Sequence, residues 1–273
     1  MPESAEFDAA PHDTVADLVG DVVQADLRAL LAGNQFMAVP ELVDRFCATQ
    51  QPSPRVFYET LPPGVLIGQL RRGALRMGSL LLRFVPDVFA AGPELLHQLH
   101  EEGVVGRPRT YASNVLSLLV RSGNPAAVHG WADLARPDIR VALPNPETEG
   151  IGRKALDAIK AAGGEHLHTA ILDRSRRSHL VRTTSIHHRQ GVSWLRDGRV
   201  DVAVVWDTEA RHHCATGAPV EKIALPPEQN VVGRYAVATV AGAPHPEEAE
   251  AFVRFLTAQA GPVLEKYGFM PAG

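Results

Sequence analysis

The residue types best suited to chemistry lie in one short segment, which contains His187, His188 and Arg189. Histidine exchanges protons near neutral pH and ligates metals, and arginine forms paired hydrogen bonds to a carboxylate. Adjacent residues do not share a helix face, so a metal here would need ligands from elsewhere in the chain. The segment suits an acid–base group, a metal ligand or a contact to a carboxylate, and a plain surface remains the alternative.

A second histidine pair, His212 and His213, stands beside Cys214. It has no companion CxxC or HxxxH spacing, so we predict a solvated loop rather than a zinc half-site. The chain also lacks the GxSxG, Walker A, GxGxxG and HExxH patterns. We therefore predict no cofactor and no metal. Enzymatic use of His187 or His188 remains an alternative to a binding function.

The stretch LPNPETEG joins the apolar run IRVA to a helical pattern. Either Asn145, followed by proline, or Thr148 can cap that helix, whose first N–H groups attract anions. Glu147 and Glu149 stand in the same turn, where they complement the helix dipole and repel an incoming anion. Ordinary capping and a ligand-binding turn both remain open.

The apolar run VDVAVVW ends at Trp206 and is followed by Asp207. Such a β-branched run is typical of a strand covered on both faces. Trp206 either belongs to the core or offers an aromatic wall and an indole N–H to a ligand.

The unit of strand, polar turn and helix recurs along the chain, which predicts a mostly parallel α/β architecture. In such folds, ligands bind at the carboxyl ends of the strands. Ahead of the first strand, residues 15–23 place valine and leucine at helical spacing and predict an amphipathic helix.

The chain has 273 residues and a net charge of −4. No lysine or arginine block exceeds a pair, so we expect no nucleic-acid partner. The acidic amino-terminal segment lacks the basic and apolar regions that are typical of a signal peptide. No apolar run is long enough to insert into a membrane. Cys47 and Cys214 leave a disulfide, two buried thiols or one exposed thiol open.

The motifs FYETLPPGVLIGQL, YASNVLSLLVRSGNP, WADLARPDIRVALPNPETEG, LRDGRVDVAVVWDTEA and HPEEAEAFVRFLTAQAGPVLEKYGF resemble, in order and spacing, the periplasmic molybdate-binding proteins. The resemblance implies an α/β, two-lobed type II periplasmic-binding-protein fold with a ligand cleft between the lobes. It implies lobe I at residues 25–112 and 233–273, lobe II at 113–232, and an amino-terminal extension at 1–24.

The resemblance also implies that turns at strand ends hold the ligand. Together with the residues considered above, the predicted ligand-binding set is Asn34, Gln35, Thr60, Thr148, Glu149, His187, His188, Arg189, Trp206 and Asp207.

The predicted turns differ from the serine-rich turns of molybdate binders. Asn34 and Gln35 occupy the first turn, Thr60 the second, and Trp206 the last. A dianion beside Glu149 or Asp207 would be repelled by roughly 4 kcal/mol at about 4 Å and an effective dielectric of about 20. We therefore predict a small polar organic solute, with a carboxylate as a group that Arg189 could bind.

The predicted function is a solute-binding protein with an ABC permease as its partner. The alternatives are a binder of molybdate or tungstate, and a cytoplasmic effector-sensing domain. The predicted location is periplasmic if a signal peptide has been removed, and otherwise cytoplasmic.

Overall fold

The chain forms two compact units in the computed structural model, which describes residues 5–6, 15–177, 179–185 and 189–272. The first unit contains the amino-terminal strand and the described residues of 15–113 and 234–272. The second contains the described residues of 114–233. The family resemblance implies lobe divisions after residues 112 and 232.

The strands, in chain order, have the following bounds. They are β1 (Ala5–Glu6), β2 (Leu18–Val19), β3 (Leu27–Ala32), β4 (Val56–Leu61), β5 (Leu75–Met77), β6 (Leu80–Leu82), β7 (Val88–Ala91), β8 (Arg109–Asn114), β9 (Leu116–Arg121), β10 (Val141–Leu143), β11 (Val181–Thr183), β12 (Val202–Trp206), β13 (Val220–Ala224), β14 (Gly233–Thr239) and β15 (Met270–Pro271).

The α-helices are α1 (Val39–Thr49), α2 (Pro63–Arg72), α3 (Pro93–Glu101), α4 (Gly150–Arg177), α5 (Arg189–Arg196), α6 (Asp207–Ala215), α7 (Pro246–Ala258) and α8 (Gly261–Lys266). The backbone of α4 is not helical at Gly163 and Gly164, so this element is two helical segments joined at a kink. No described helix is long and apolar enough to cross a bilayer.

The main sheet of the first unit has seven strands in the order β15-β8-β14-β7-β3-β4-β2. Strand β3 pairs in parallel with β4 and β7, whereas β2, β14 and β15 make antiparallel pairs. A smaller sheet has the order β1-β5-β6. The amphipathic helix predicted for residues 15–23 is wrong, because strand β2 lies there and pairs with β4 instead.

The second unit has a five-stranded sheet in the order β11-β10-β12-β9-β13. Strand β10 is parallel to β11 and β12, and β9 is antiparallel to β12 and β13. Both large sheets are therefore mixed rather than mostly parallel. Sequence patterns predicted the strands, but strand direction depends on which elements become neighbours.

Proline marks the transition from strand to helix at several positions. Helices α2 and α3 begin at Pro63 and Pro93, directly after strands β4 and β7. Proline has a fixed φ suited to the first helical turn, where its missing N–H has no intrahelical partner in any case. The chain can therefore leave a strand and start a helix within two or three residues.

Each unit has its own hydrophobic core. In the first, the rings of Phe46 and Phe252 meet edge to face, with centroids 5.0 Å apart. In the second, alternate residues of β12 enter two clusters, Val202 and Val204 on one face and Ala203 and Val205 on the other. This strand is covered on both faces, as its β-branched sequence predicts.

Candidate functional site

The first two predicted binding turns lie at the same edge of the first unit's sheet. Because β3 and β4 are parallel neighbours, with Leu31 opposite Thr60, their carboxyl ends coincide. A short 3-10 helix, Gly33–Gln35, follows β3. A Cβ at Gly33 would lie 3.0 Å from the backbone of Thr60 and Leu61, so glycine allows this turn to approach the end of β4.

Two tyrosines hold the amide side chains of the first turn. The Tyr111 hydroxyl donates to Oε1 of Gln35 at 2.7 Å, and Nδ2 of Asn34 donates to the Tyr235 hydroxyl. The two rings lie with centroids 6.4 Å apart. Burial raises the pKa of Tyr111, so this hydroxyl keeps its proton and acts as a donor at neutral pH.

The amide nitrogen of Gln35 is a buried donor. In the structure, Oε1 of Gln35 accepts from Tyr111 and Nε2 carries the N–H groups. Nε2 has no hydrogen-bond partner among the described residues, although Gln35 is only 1% exposed. Leaving such a donor unsatisfied costs about 1–3 kcal/mol. This atom is therefore suited to a ligand that brings an acceptor.

Thr60 forms hydrogen bonds with Asp17, in the segment that precedes β2. Its hydroxyl donates to Oδ1 of Asp17 at 3.1 Å, and its backbone N–H donates to the Asp17 carbonyl at 2.9 Å. The neighbouring Glu59 is fully buried, and its Oε1 accepts from Nε2 of Gln69 at 3.1 Å. Burial, with Asp17 nearby, raises the pKa of Glu59 from 4.5 to about 7 despite the hydrogen bond from Gln69.

In the second unit, Asn145 and Glu149 organise the turn after β10. Oδ1 of Asn145 accepts from the Glu147 N–H at 2.9 Å, which closes a local turn ahead of α4. The Glu149 carboxylate is 3% exposed and accepts hydrogen bonds from the Thr184 hydroxyl and from the Asn145 N–H. Thr148 is exposed. Asn145, rather than Thr148, supplies the side-chain oxygen to this turn.

Asp207 follows β12 and lies among cations. Its carboxylate accepts from Nε of Arg211 at 2.5 Å, from Nζ of Lys222 at 2.7 Å, and from the Ser117 hydroxyl at 2.6 Å. Burial raises the pKa of Asp207, but these three donors outweigh it and leave the pKa below its usual value. The single negative charge is thus matched by two positive charges.

Trp206 belongs to the core of the second unit. It is 7% exposed and lies in the same cluster as Trp131 and Val204. A Cβ at Gly233 would come within 2.3 Å of its indole ring. The ring therefore packs directly on the backbone of Gly233, which limits its freedom to rotate.

Replacing Gly233 by Ala is expected to lower the free energy of unfolding of the second unit by about 2 kcal/mol, because a methyl group overfills this contact. Urea unfolding followed by Trp fluorescence would measure it. The matched control is Gly150→Ala, where an added Cβ meets no atom within 4 Å. Equal stability of the two variants would contradict this account of the packing.

Arg189 is the first residue of α5 and is 7% exposed. His187 and His188 lie outside the described residues. His212 and His213 lie in α6, so the predicted loop is wrong there; the run DTEARHHCA continues as a helix from the strand end. Burial lowers the pKa of both these histidines. Among the described residues, no group of three or more His, Cys, Asp or Glu side chains could hold a metal.

Both cysteines are free thiols. Cys47 is partly buried, which raises its pKa, and Cys214 is exposed. Of the possibilities left open by the sequence, the structure shows one exposed and one partly buried thiol.

The partners that hold the predicted residues were not found from the sequence. They are Tyr111, Tyr235, Asp17, Thr184, Ser117, Arg211 and Lys222. Only Arg211 has a local signal, because it lies four residues after Asp207 in the chain. The others come from strands whose neighbours the sequence alone does not define.

Comparison with known proteins identifies the family. A family model described as bacterial extracellular solute-binding protein matches residues 27–270. The chain belongs to this family. Its members are solute-binding proteins, which confirms the prediction of a binding protein rather than an enzyme.

Individual proteins also resemble the chain over much of its length. The molybdate-binding protein ModA of Mycobacterium tuberculosis is 26% identical over 211 residues, covering 76% of this chain and 74% of that protein. A sulfate-binding protein of Synechococcus elongatus is 27% identical over 176 residues, covering 59% and 47%.

The structure also resembles the periplasmic molybdate-binding protein of Azotobacter vinelandii. The TM-score is 0.71 at 18% identity, with 90% of this chain and 100% of that chain covered. At this identity the likeness shows the fold alone, and it confirms the predicted type II periplasmic-binding-protein fold.

Proposed function

We propose that the chain captures a small anion carrying oxygen acceptors, outside the cytoplasm, and delivers it to an ABC permease. The observation that carries this proposal is the buried Nε2 of Gln35, which lacks a partner among the described residues while Tyr111 donates to the oxygen of the same amide. A donor held in this way favours an acceptor on the ligand.

A tetrahedral oxyanion is the favoured ligand. The relatives described above are named for binding molybdate and sulfate, and both anions present only oxygen acceptors. Neutral amide and hydroxyl donors can hold an oxyanion without a paired cation, because several donors share its charge. In the first unit, Nε2 of Gln35 is a donor of this type, and the amide of Asn34 lies beside it in the same turn.

From the sequence, the carboxylates of Glu149 and Asp207 were expected to repel an oxyanion. The contacts of these two carboxylates reduce that expected repulsion. Asp207 lies within 2.7 Å of cationic nitrogens of both Arg211 and Lys222, so it does not present an unbalanced negative charge. Glu149 is engaged by Thr184 and Asn145. The repulsion predicted for a dianion is reduced accordingly.

An organic anion with a carboxylate is the second candidate. Tyr111 and Tyr235, 6.4 Å apart, lie beside the amides of Asn34 and Gln35 and would contact a carbon skeleton. A carboxylate offers the same acceptor to Nε2 of Gln35 as an oxyanion does.

Replacing Gln35 by Glu tests the proposal directly. Glutamate keeps an oxygen that accepts from Tyr111, but it has no N–H donor and adds a negative charge. We expect the dissociation constant to rise about 30-fold or more, as loss of a hydrogen bond to a charged ligand implies. Calorimetric titration with sulfate, molybdate, tungstate and a panel of small organic acids would measure it.

The matched control is Gln259→Glu, which makes the same chemical change at an exposed position after α7. It should bind the ligand like the wild-type protein. Binding of a neutral solute only, or equal affinities for Gln35→Glu and the wild-type protein, would overturn the proposal. Thermal unfolding of both variants separates lost binding from lost folding.

A further inference from the structure

Helices α1, α7 and α8 of the first unit line a groove that the proposed solute site does not use. Its volume is about 340 Å³, within the range of roughly 300–1,000 Å³ that is typical of small-molecule sites. Glu41, Arg45 and Thr49 of α1 are spaced four residues apart, so they share the face of α1 that lines the groove. Val263 and Lys266 line it from α8. We call this cavity the α1–α8 groove.

The floor of the α1–α8 groove is apolar. Phe255 and Val263 line the groove but are only 4% and 7% exposed, so they lie at its bottom. The centroid of the Phe255 ring is 5.7 Å from that of Phe46, in the core of the first unit. Because the floor belongs to this packed core, it keeps its shape without a ligand. The exposed side chains of Arg45 and Lys266 form the rim.

The rim has two positive charges and one negative charge. Nζ of Lys266 and the hydroxyl of Tyr267 donate to Oε2 of Glu41, at 2.5 Å and 3.0 Å. These hydrogen bonds lower the pKa of Glu41, so this carboxylate is an anion at neutral pH and balances Lys266. Arg45 makes no hydrogen bond or ion pair with a residue that the structure describes. Asp44 precedes Arg45 but does not line the groove. Arg45 is therefore available to an anionic ligand.

The combination of groups selects a ligand with one negative charge and an apolar body. A carboxylate accepts paired hydrogen bonds from a guanidinium such as that of Arg45. An apolar body removes the surfaces of Phe255 and Val263 from water. A bare inorganic anion would leave this floor wet, and a neutral apolar molecule would not use Arg45. A partner protein would need a surface of about 800 Å², which is larger than a groove of this volume offers.

We propose that the α1–α8 groove is a second ligand site, which binds an amphipathic organic monocarboxylate with its carboxylate at Arg45 and its apolar body on Phe255 and Val263. The site is separate from the turn Gly33–Gln35, because no residue of that turn lines the groove. The affinity is modest, since Arg45 is exposed and solvent screens its charge.

Titration of the full chain with phenylacetate, followed by the NMR shifts of backbone amides in α1 and α8, tests this proposal. We expect saturable shifts in both helices. Phenylacetamide has the ring without the charge, and acetate has the charge without the ring. Each should bind about fivefold more weakly than phenylacetate, or less tightly still. Arg45→Gln should raise the dissociation constant of phenylacetate about fivefold and reduce its dependence on salt.

The matched control is Arg254→Gln, which removes the same charge at an exposed position of α7 outside the groove. It should keep wild-type affinity for phenylacetate, and so should Gln35→Glu, which alters the solute site alone. Circular dichroism verifies that each variant is folded.

Four results would overturn the proposal. The first is loss of the shifts in Gln35→Glu with full binding in Arg45→Gln, which would place phenylacetate in the solute site. The second is equal weakening by Arg45→Gln and Arg254→Gln, and the third is the absence of saturable binding or equal binding of phenylacetamide. The fourth is a second copy of the chain covering the groove, seen as dimerisation in sedimentation equilibrium that Arg45→Gln abolishes.

Discussion

Replacing Asp207 by Asn is expected to lower the free energy of unfolding of the second unit by about 3 kcal/mol. The carboxylate is 9% exposed and joins Ser117, Arg211 and Lys222, which come from a strand, a helix and a further strand. An asparagine keeps the shape but removes the charge. Lys222, whose side chain is 24% exposed, is then left without its counter-charge.

Urea unfolding followed by circular dichroism measures this effect, and Asp197→Asn is the matched control. Asp197 pairs with Arg199 at 3.6 Å on the surface, with 38% of its side chain exposed, and such pairs contribute about 0–1 kcal/mol. Because the pKa of Asp207 is lowered, its stabilisation is present above its ordinary pKa and is lost as pH falls through the folded value. An Asp207→Asn effect no larger than that of Asp197→Asn would contradict this role.

Replacing Glu59 by Gln is expected to stabilise the first unit by about 3 kcal/mol at about pH 8, because the charged carboxylate is then absent from a fully buried position. A rise in pKa from 4.5 to about 7 corresponds to about this free energy, at roughly 1.36 kcal/mol for each pH unit. Gln retains an oxygen for the hydrogen bond from Gln69.

The sign of the pH dependence follows from proton binding. Below 4.5, Glu59 is protonated in both folded and unfolded chains, so it has no differential effect. As pH rises to about 7, the unfolded chain releases the proton while the folded chain retains it, and stability falls. Above that pH the loss is complete. The difference between Glu59→Gln and the wild-type protein should therefore be small at about pH 4 and largest above about pH 7.

Thermal and urea unfolding across this pH range measure the difference, with Glu101→Gln at an exposed position of α3 as the control. The control should follow the wild-type curve at every pH. A Glu59→Gln variant that is less stable than the wild-type protein at high pH would show that the carboxylate is held as an anion by its surroundings.

Local patterns in the sequence were sufficient to place the elements that carry the predicted residues. The apolar run VDVAVVW became β12, and the turn LPNPETEG lies between β10 and α4, as its sequence predicts. Hydrophobic runs and turn residues act over a few positions, so their effects can be read along the chain. Residues 15–23 are one exception, since pairing with β4 overrides their helical spacing.

The motifs also indicated the family, because their order over most of the chain is a property of the sequence. The residue types Asn34, Gln35 and Thr60 were located at strand ends on the same basis. What these side chains are free to bind depends on their contacts, which no local pattern specifies.

Tertiary structure decided those contacts. Gln35 and Tyr111 are 76 positions apart, and Asn34 and Tyr235 are 201 apart, yet their strands lie in one sheet. Lys222 reaches Asp207 from β13, which changes an apparently repulsive carboxylate into a balanced one. The sequence determined which groups are available and near which strand ends, whereas strand order determined their partners, because sheet neighbours are set by long-range packing rather than by spacing along the chain.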